Sequence, residues 1–342
     1  MDALACASIL AGTDSNTGQT TTMIRMATVD QALALISEHG GANLTPTVTL
    51  PLVEAEGRRL VSPVIAAIFQ PPADVSAMDG YAVRFADMTE GARLAIIGES
   101  RAGRPFAGPV GQHQAVRIFT GAHAPPGADH ILIQEDARRE GGTVEVACRQ
   151  PAPASIRRQG RDFGAGDTLV PAGSVITPGA IALAAAGNVA SVSVRAAPRI
   201  GVLANGDELA AAGSVLTTGQ VVNSIGPALL VLLRHWGADL VDLGVARDEQ
   251  ADVRARITAP CDAIVSIGGA SVGDYDVARD AFAAEGYAPV FEKVAVKPGK
   301  PTWFSARPGA LVLGLPGNPA AAMVTARLFL KPLIEAMTGA PR

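Results

Sequence analysis

The chain has 342 residues, 48% of them hydrophobic and 18% charged, which describes a folded chain with two or three cores and excludes a disordered one. A formal net charge of −4 leaves no basic footprint for a nucleic-acid binder that works through bulk electrostatics. Cysteine occurs only at Cys6, Cys148 and Cys261, which excludes a disulfide framework and a Cys-x-x-Cys metal pair and points to a reducing, cytoplasmic compartment. No apolar run reaches the roughly 20 residues of a membrane helix. Residues 1–23 lack a basic n-region and read as a loose extension, with Met23 and Met26 as alternative starts.

In chain order, Thr28–His39 reads as an amphipathic helix, with Thr28 and Gln31 as a capping box and Gly40-Gly41 as its stop. Thr47–Pro51 reads as a strand and Glu54–Leu60 as a brief helical piece. From Gln70 the texture changes. The apolar runs Leu94–Ile97, Ala115–Phe119, His130–Gln134 and Thr143–Val146 alternate with Gly and Pro clusters, the pattern of a small barrel or sandwich. After Pro151–Pro153 a helix over Pro178–Ala186 and a strand over Ser191–Val194 resume the first texture. The expected organisation is a small β-barrel-like domain at 70–153, inserted into a discontinuous linking α/β module at 24–69 and 154–196.

From residue 197 to 342 strands and helices alternate, which defines an α/β domain with a doubly wound, mostly parallel sheet. Strands over Ile200–Ala204, Leu240–Val245 and Ala263–Ile267 alternate with helices over Ser224–Trp236 and Glu249–Thr258, and Ala320–Met337 is the last helix. Ala263–Ile267 is apolar throughout, as expected of a strand covered on both faces. In such sheets ligands bind beyond the carboxyl ends of the strands. Those ends carry Asp207, Glu208, Asp248 and Asp276, the glycine turns Gly268–Asp276 and Gly314–Pro319, and the basic stretch Lys293, Lys297-Pro298-Gly299-Lys300. Glycine backbones and lysines suit anions, and carboxylates suit a divalent cation. The local chemistry points to a phosphorylated or oxyanionic ligand with a metal ion.

Gly269-Ala270-Ser271-Val272-Gly273 fits the G-x-S-x-G elbow of serine hydrolases. That class needs its histidine after the serine, and all five histidines precede Ser271. The first strand of the domain ends in Asn205-Gly206-Asp207 where a dinucleotide fold needs G-x-G-x-x-G, and no G-x-x-x-x-G-K-[ST] loop occurs. Each acid taken alone is as well explained by helix capping. Four acids at the strand exits of one sheet favour a Mg²⁺ and phosphate site.

Ser76–Ala82, Thr120-Gly121 with Gly127-Ala128-Asp129, Gly206–Leu209, Gly268–Asp276, Lys297–Pro301 and Gly314–Pro319 together resemble the signature segments of the molybdopterin molybdenumtransferases, the family of bacterial molybdenum-insertion enzymes and the gephyrin E domain. The resemblance runs from about residue 26 onward, in family order. It implies Mg²⁺-dependent insertion of molybdate into adenylylated molybdopterin, with release of AMP and molybdenum cofactor. It also implies a homodimer whose active site is shared between subunits, with other cofactor-biosynthesis proteins as further partners. Carried over by motif, Asp79, Thr120, Glu208, Asp248, Asp276 and Lys297 would be catalytic, and Asp162 resembles another acid of the site. Gly268, Gly269, Ser271, Gly273, Lys293, Pro298, Lys300, Gly317 and Asn318 would bind the cofactor, and Glu208, Asp248 and Asp276 the Mg²⁺. The resemblance also implies a further C-terminal β domain, which the sequence lacks. Ala321 stands where the family usually has Ser, and Asn205 replaces a commoner Thr. The rival reading is a non-catalytic molybdopterin-binding carrier, chaperone or sensor.

Overall fold

A computed structural model of the chain describes residues 23–268 and 277–340. The first helix, α1 (Val29–Ala42), starts as its sequence dictates: Thr28 Oγ1 accepts from Gln31 N, and the Gln31 side chain returns to the Thr28 backbone. Strand β1 (Thr47–Pro51) then leads into a 3₁₀ turn at Leu52–Glu54. The helical piece expected at Glu54–Leu60 is not formed, because the chain turns at Gly57 with φ of +75°.

The chain runs out and back as an antiparallel ribbon, with bridges between Val64–Ile65 and Thr168–Val170, Gln70 and Phe163, and Val75–Ser76 and Ile156–Arg157. At its far end lies a mixed six-stranded sheet. Its strands are β2 (Gly80–Val83), β3 (Arg93–Ser100), β4 (Gln114–Ile118), β5 (His130–Ile133), β6 (Ala137–Glu140) and β7 (Thr143–Val146), ordered β5-β2-β4-β3-β7-β6. Alternating side chains feed two apolar clusters. Tyr81, Val83, Leu132 and Val144 belong to one, and Ala82, Val116, Ile118 and Ile131 to the other. At the base of the ribbon α2 (Pro178–Ala186) packs through Ala184 on β1 and β8 (Ser191–Arg195), with Leu60, Ile176 and Val194 in the same core.

The second six-stranded sheet comprises β9 (Arg199–Asn205), β10 (Asp239–Ala246), β11 (Ala263–Ile267), β12 (Ala288–Phe291), β13 (Trp303–Arg307) and β14 (Ala310–Leu315). Its order is β10-β9-β11-β14-β13-β12. The first four strands are parallel, and the β13–β14 hairpin supplies the antiparallel edge. Helices cover both faces, as expected. On one face Leu229 and Leu233 of α3 (Ile225–His235) join Phe329 and Leu333 of the last helical segment. On the other, Val253 and Ile257 of α4 (Gln250–Ile257) meet Ala281 and Phe282 of α5 (Val277–Ala284). Ala32 and Ile36 of α1 also enter the first of these cores, so residues grouped in sequence with the linking module cap the α/β sheet.

The last helical segment is α6 (Pro319–Thr325), a π turn over Ala326–Leu330, and α7 (Lys331–Met337). The interruption has visible causes. Thr325 Oγ1 bonds back to the Ala321 and Ala322 carbonyls, and Pro332 offers no N–H to the carbonyl four residues earlier.

Candidate active site

Chain order dictates where a cleft opens. From β9 the chain crosses through α3 on one face to the edge strand β10. It returns through α4 on the opposite face to β11. Strands β9 and β11 are neighbours whose connections leave toward opposite faces, the switch point at which a doubly wound sheet parts beyond its carboxyl ends. A pocket of about 450 Å³ lies there, lined by Asn205 at the end of β9, Ile267 and Gly268 at the end of β11, and Gly317 and Pro319 after β14. Glu208, Asn223 and Ser224 add polar groups, and Leu209, Val221, Val222 and Ile225 an apolar wall. Residues 209–210 and 221–222 form a short parallel ladder that holds this wall.

Glycine at the floor is a steric requirement. Gly268 has φ of +78°, and a Cβ there would stand 2.8 Å from the Asn205 carbonyl oxygen. A Cβ on Gly317 would lie 3.6 Å from Gly268 Cα, so the two backbones nearly touch. Asn318 accepts from Ala321 N at 3.1 Å and caps α6. Asn205 Nδ2 donates to Ser266 Oγ at 2.9 Å and to the Ile267 carbonyl at 3.2 Å, tying the two strand ends together.

The acidic side chains fall into place unevenly. Glu208 lines the pocket, and its carboxylate lies against Gly206. Asp207 and Asp248 exchange bonds across the exits of β9 and β10. Asp248 N donates to Asp207 Oδ1 at 3.2 Å and Asp207 N to Asp248 Oδ2 at 3.4 Å. Both residues are exposed. Asp276, with Gly269, Ser271 and Gly273, lies outside the described residues. Among the described residues no three His, Cys, Asp or Glu side chains converge as a metal site. Glu208 and Asp248, beyond the exits of β9 and β10, offer carboxylate oxygens of the kind Mg²⁺ takes.

Lys293, Lys297 and Lys300 are not among the residues that line this pocket. Lys293 is half-buried, its carbonyl accepting from Ala27 N at 2.9 Å, while Lys297, Pro298 and Lys300 are exposed. The turn is seated on the last helical segment, because Gly299 is buried against the Thr325 methyl.

Asp79 and Thr120 meet on the inserted sheet. Thr120 N and Oγ1 both donate to Asp79 Oδ1 at 2.8 Å. The Thr120 N–H, then its hydroxyl, and more weakly the Arg117 guanidinium hold the Asp79 carboxyl below the usual carboxylate range. Arg117 bridges the Gly80 carbonyl and Gln134 Oε1, each at 3.1 Å, and lies over the Tyr81 and Phe119 rings. Asp162 is held by Arg157 at 2.7 Å. None of these residues lines the pocket.

Asn205, Asn223 and the apolar wall line the pocket without having been expected there from sequence. Asn205 carried a signal, a polar residue that ends an otherwise apolar strand at the carboxyl edge. Val221 and Val222 carried none.

Comparison with known proteins matches both halves of this architecture. Residues 27–187 match the MoeA N-terminal region (domain I and II), and residues 201–336 match the "Probable molybdopterin binding domain". The molybdopterin molybdenumtransferase of Haemophilus influenzae is 36% identical over 318 residues, covering 92% of this chain and 78% of its own. The chain belongs to the molybdopterin molybdenumtransferase family. Molybdopterin molybdenumtransferase 2 of Mycobacterium tuberculosis is 37% identical over 310 residues, covering 86% of this chain and 76% of its own. The crystal structure of the molybdopterin biosynthesis MoeA protein from Pyrococcus horikosii superposes with a TM-score of 0.79 at 28% identity, over 92% of this chain and 81% of that one. The Asp79–Thr120 turn lies within the first matched region, and the cleft, with the residues after β14, within the second. Among the described residues no helix is long and apolar enough to cross a membrane.

Proposed function

We propose that the chain is a cytoplasmic molybdenumtransferase that inserts molybdate into adenylylated molybdopterin and releases AMP. The observation that carries this reading is the pocket at the switch point, where Glu208 and the Gly268–Gly317 floor stand beside Asn205, in a chain of this family. The close glycine backbones admit a flat ring and its phosphate, and the apolar wall receives the faces of the ring. Lys293, Lys297 and Lys300 supply positive charge for molybdate and phosphate oxygens. Glu208 and Asp248, joined by Asp276, would hold Mg²⁺. When bound, that ion neutralises charge on the phosphoanhydride that is cleaved.

The Asp79–Thr120 turn belongs to the same reaction, presented by the inserted sheet of a second copy. Asp79 stays ionised because Thr120 donates twice to one of its oxygens. Its other oxygen is then available to orient a donor of the substrate. No covalent intermediate on the protein is required. Positioning and electrostatic stabilisation carry phosphoryl chemistry.

The test is AMP release from adenylylated molybdopterin by purified protein with Mg²⁺ and molybdate. Molybdate-dependent release, with activation of an apo-molybdoenzyme, is the expected result. Pterin binding without AMP release would favour the carrier reading, for which Ala321 speaks: it places a buried methyl where the resemblance expects a hydroxyl.

A further inference from the structure

Asn205 is only 5% exposed and forms part of the pocket wall. Its amide hydrogens are both engaged, one on Ser266 Oγ and one on the Ile267 carbonyl. A carbonyl has no hydrogen to give, so turning the carboxamide over would set oxygen against oxygen. The orientation is therefore fixed by the strand end, and Oδ1 is the atom left over. It is buried and has no hydrogen-bond partner. An acceptor in that condition has lost its water and gained nothing in return.

The surroundings define what would satisfy it. Leu209, Val221, Val222, Ile225 and Ile267 give the pocket apolar walls, suited to the faces of a planar ring and poor in hydrogen-bond donors. The floor is backbone at Gly268 and Gly317, and the polar side chains of the lining are Asn205, Glu208, Asn223 and Ser224, of which Asn223 already accepts from Gly226 N through its Oδ1.

We propose that Asn205 is a specificity-determining residue that reads the edge of the bound heterocycle, its Oδ1 accepting from an amine or ring N–H of the ligand. The pocket then selects rings whose edge donates and rejects those in which that donor is missing or blocked. Such discrimination is steep where the site, and not water, must supply the partner. This inference rests on the reading of the pocket as a pterin site, since a pterin edge carries both an exocyclic amine and a ring N–H.

The test measures affinity by quenching of ligand fluorescence, with three probes: pterin, 4-oxopteridine, which lacks the amine, and 3-methylpterin, whose ring N–H is blocked. On the wild-type protein at least one analogue is expected to bind about tenfold or more weakly than pterin. That loss is expected to vanish in Asn205→Ala and in Asn205→Thr, which keeps a hydroxyl for the Ile267 carbonyl. Three results overturn the inference. If both analogues match pterin on the wild type, no donor is read, as when a trapped water fills the acceptor. If one analogue binds weakly on the wild type and on both variants alike, another group reads the edge. If pterin itself does not bind the wild type, the pterin reading fails and takes this inference with it.

Discussion

Substituting Gly268 by alanine tests whether the floor of the pocket demands glycine for the reason given. Two costs add. The φ of +78° places a side chain in the left-handed region, at about 1 kcal/mol. The new Cβ would also lie 2.8 Å from the Asn205 carbonyl oxygen. The obstacle is backbone inside a sheet and cannot rotate away. Forcing such a contact costs about 1–3 kcal/mol, so Gly268→Ala is expected to lose about 2–4 kcal/mol. Gly309 provides the control, with φ of +76° and nothing within 4 Å of an added Cβ. Gly309→Ala is therefore expected to lose only the dihedral cost of about 1 kcal/mol. Urea denaturation followed by tryptophan fluorescence reads both, because Trp236 and Trp303 lie in the α/β half. Gly268→Ala is also expected to weaken pterin binding, which Gly309→Ala leaves unchanged. Equal losses in the two variants, with pterin affinity intact in both, would refute the argument from close backbone approach.

Other perturbations probe the remaining parts. Asp79→Asn is expected to lower AMP release by about a hundredfold or more, with denaturation midpoints near wild type. Thr120→Val removes the hydroxyl bond to Asp79 and lets that carboxyl rise toward its ordinary pKa. The acidic limb of the pH–activity profile then moves to higher pH, and an unmoved limb contradicts the assignment. His130 is fully buried, its Nδ1 accepts from Ala154 N at 2.9 Å, and burial lowers its pKa from 6.5. Between that value and its lowered native one, the unfolded chain binds a proton that the native one does not. Stability from His130 is therefore complete above about pH 6.5 and falls as pH drops below it. His130→Phe is expected to flatten this part of the stability profile. Asn318→Ala removes the cap of α6 and is expected to cost about 1 kcal/mol, visible in the urea midpoint.

The sequence made regular elements legible wherever local chemistry decides them. Thr28 and Gln31 dictate the capping box of α1. Pro227 and the Leu229–Leu233 face place α3 within a residue of its expected ends. The apolar run Ala263–Ile267 reads as a strand buried on both faces because it is one. Long-range packing was less legible. That Ala32 and Ile36 rest on the α/β sheet depends on a core supplied by residues from Ile200 to Met337. The hydrogen bonds between Asp207 and Asp248 follow from the parallel β9–β10 pairing, which no local pattern announces. Within the site, Glu208, Gly268 and Gly317 were found by strand-end reasoning. The role of Asn205 is not legible in sequence, because an orphaned acceptor exists only once the neighbouring strand end has claimed both amide hydrogens.

In the proposed reaction one site is made from two halves, the pocket with Glu208 on one chain and the Asp79–Thr120 turn on another. Co-expressing Asp79→Asn and Glu208→Gln subunits, each inactive alone, tests this directly. Random pairing makes half the dimers mixed, each with one intact site and one doubly altered, so AMP release is predicted at about a quarter of the wild-type rate. Release no greater than that of either variant alone would contradict a shared site.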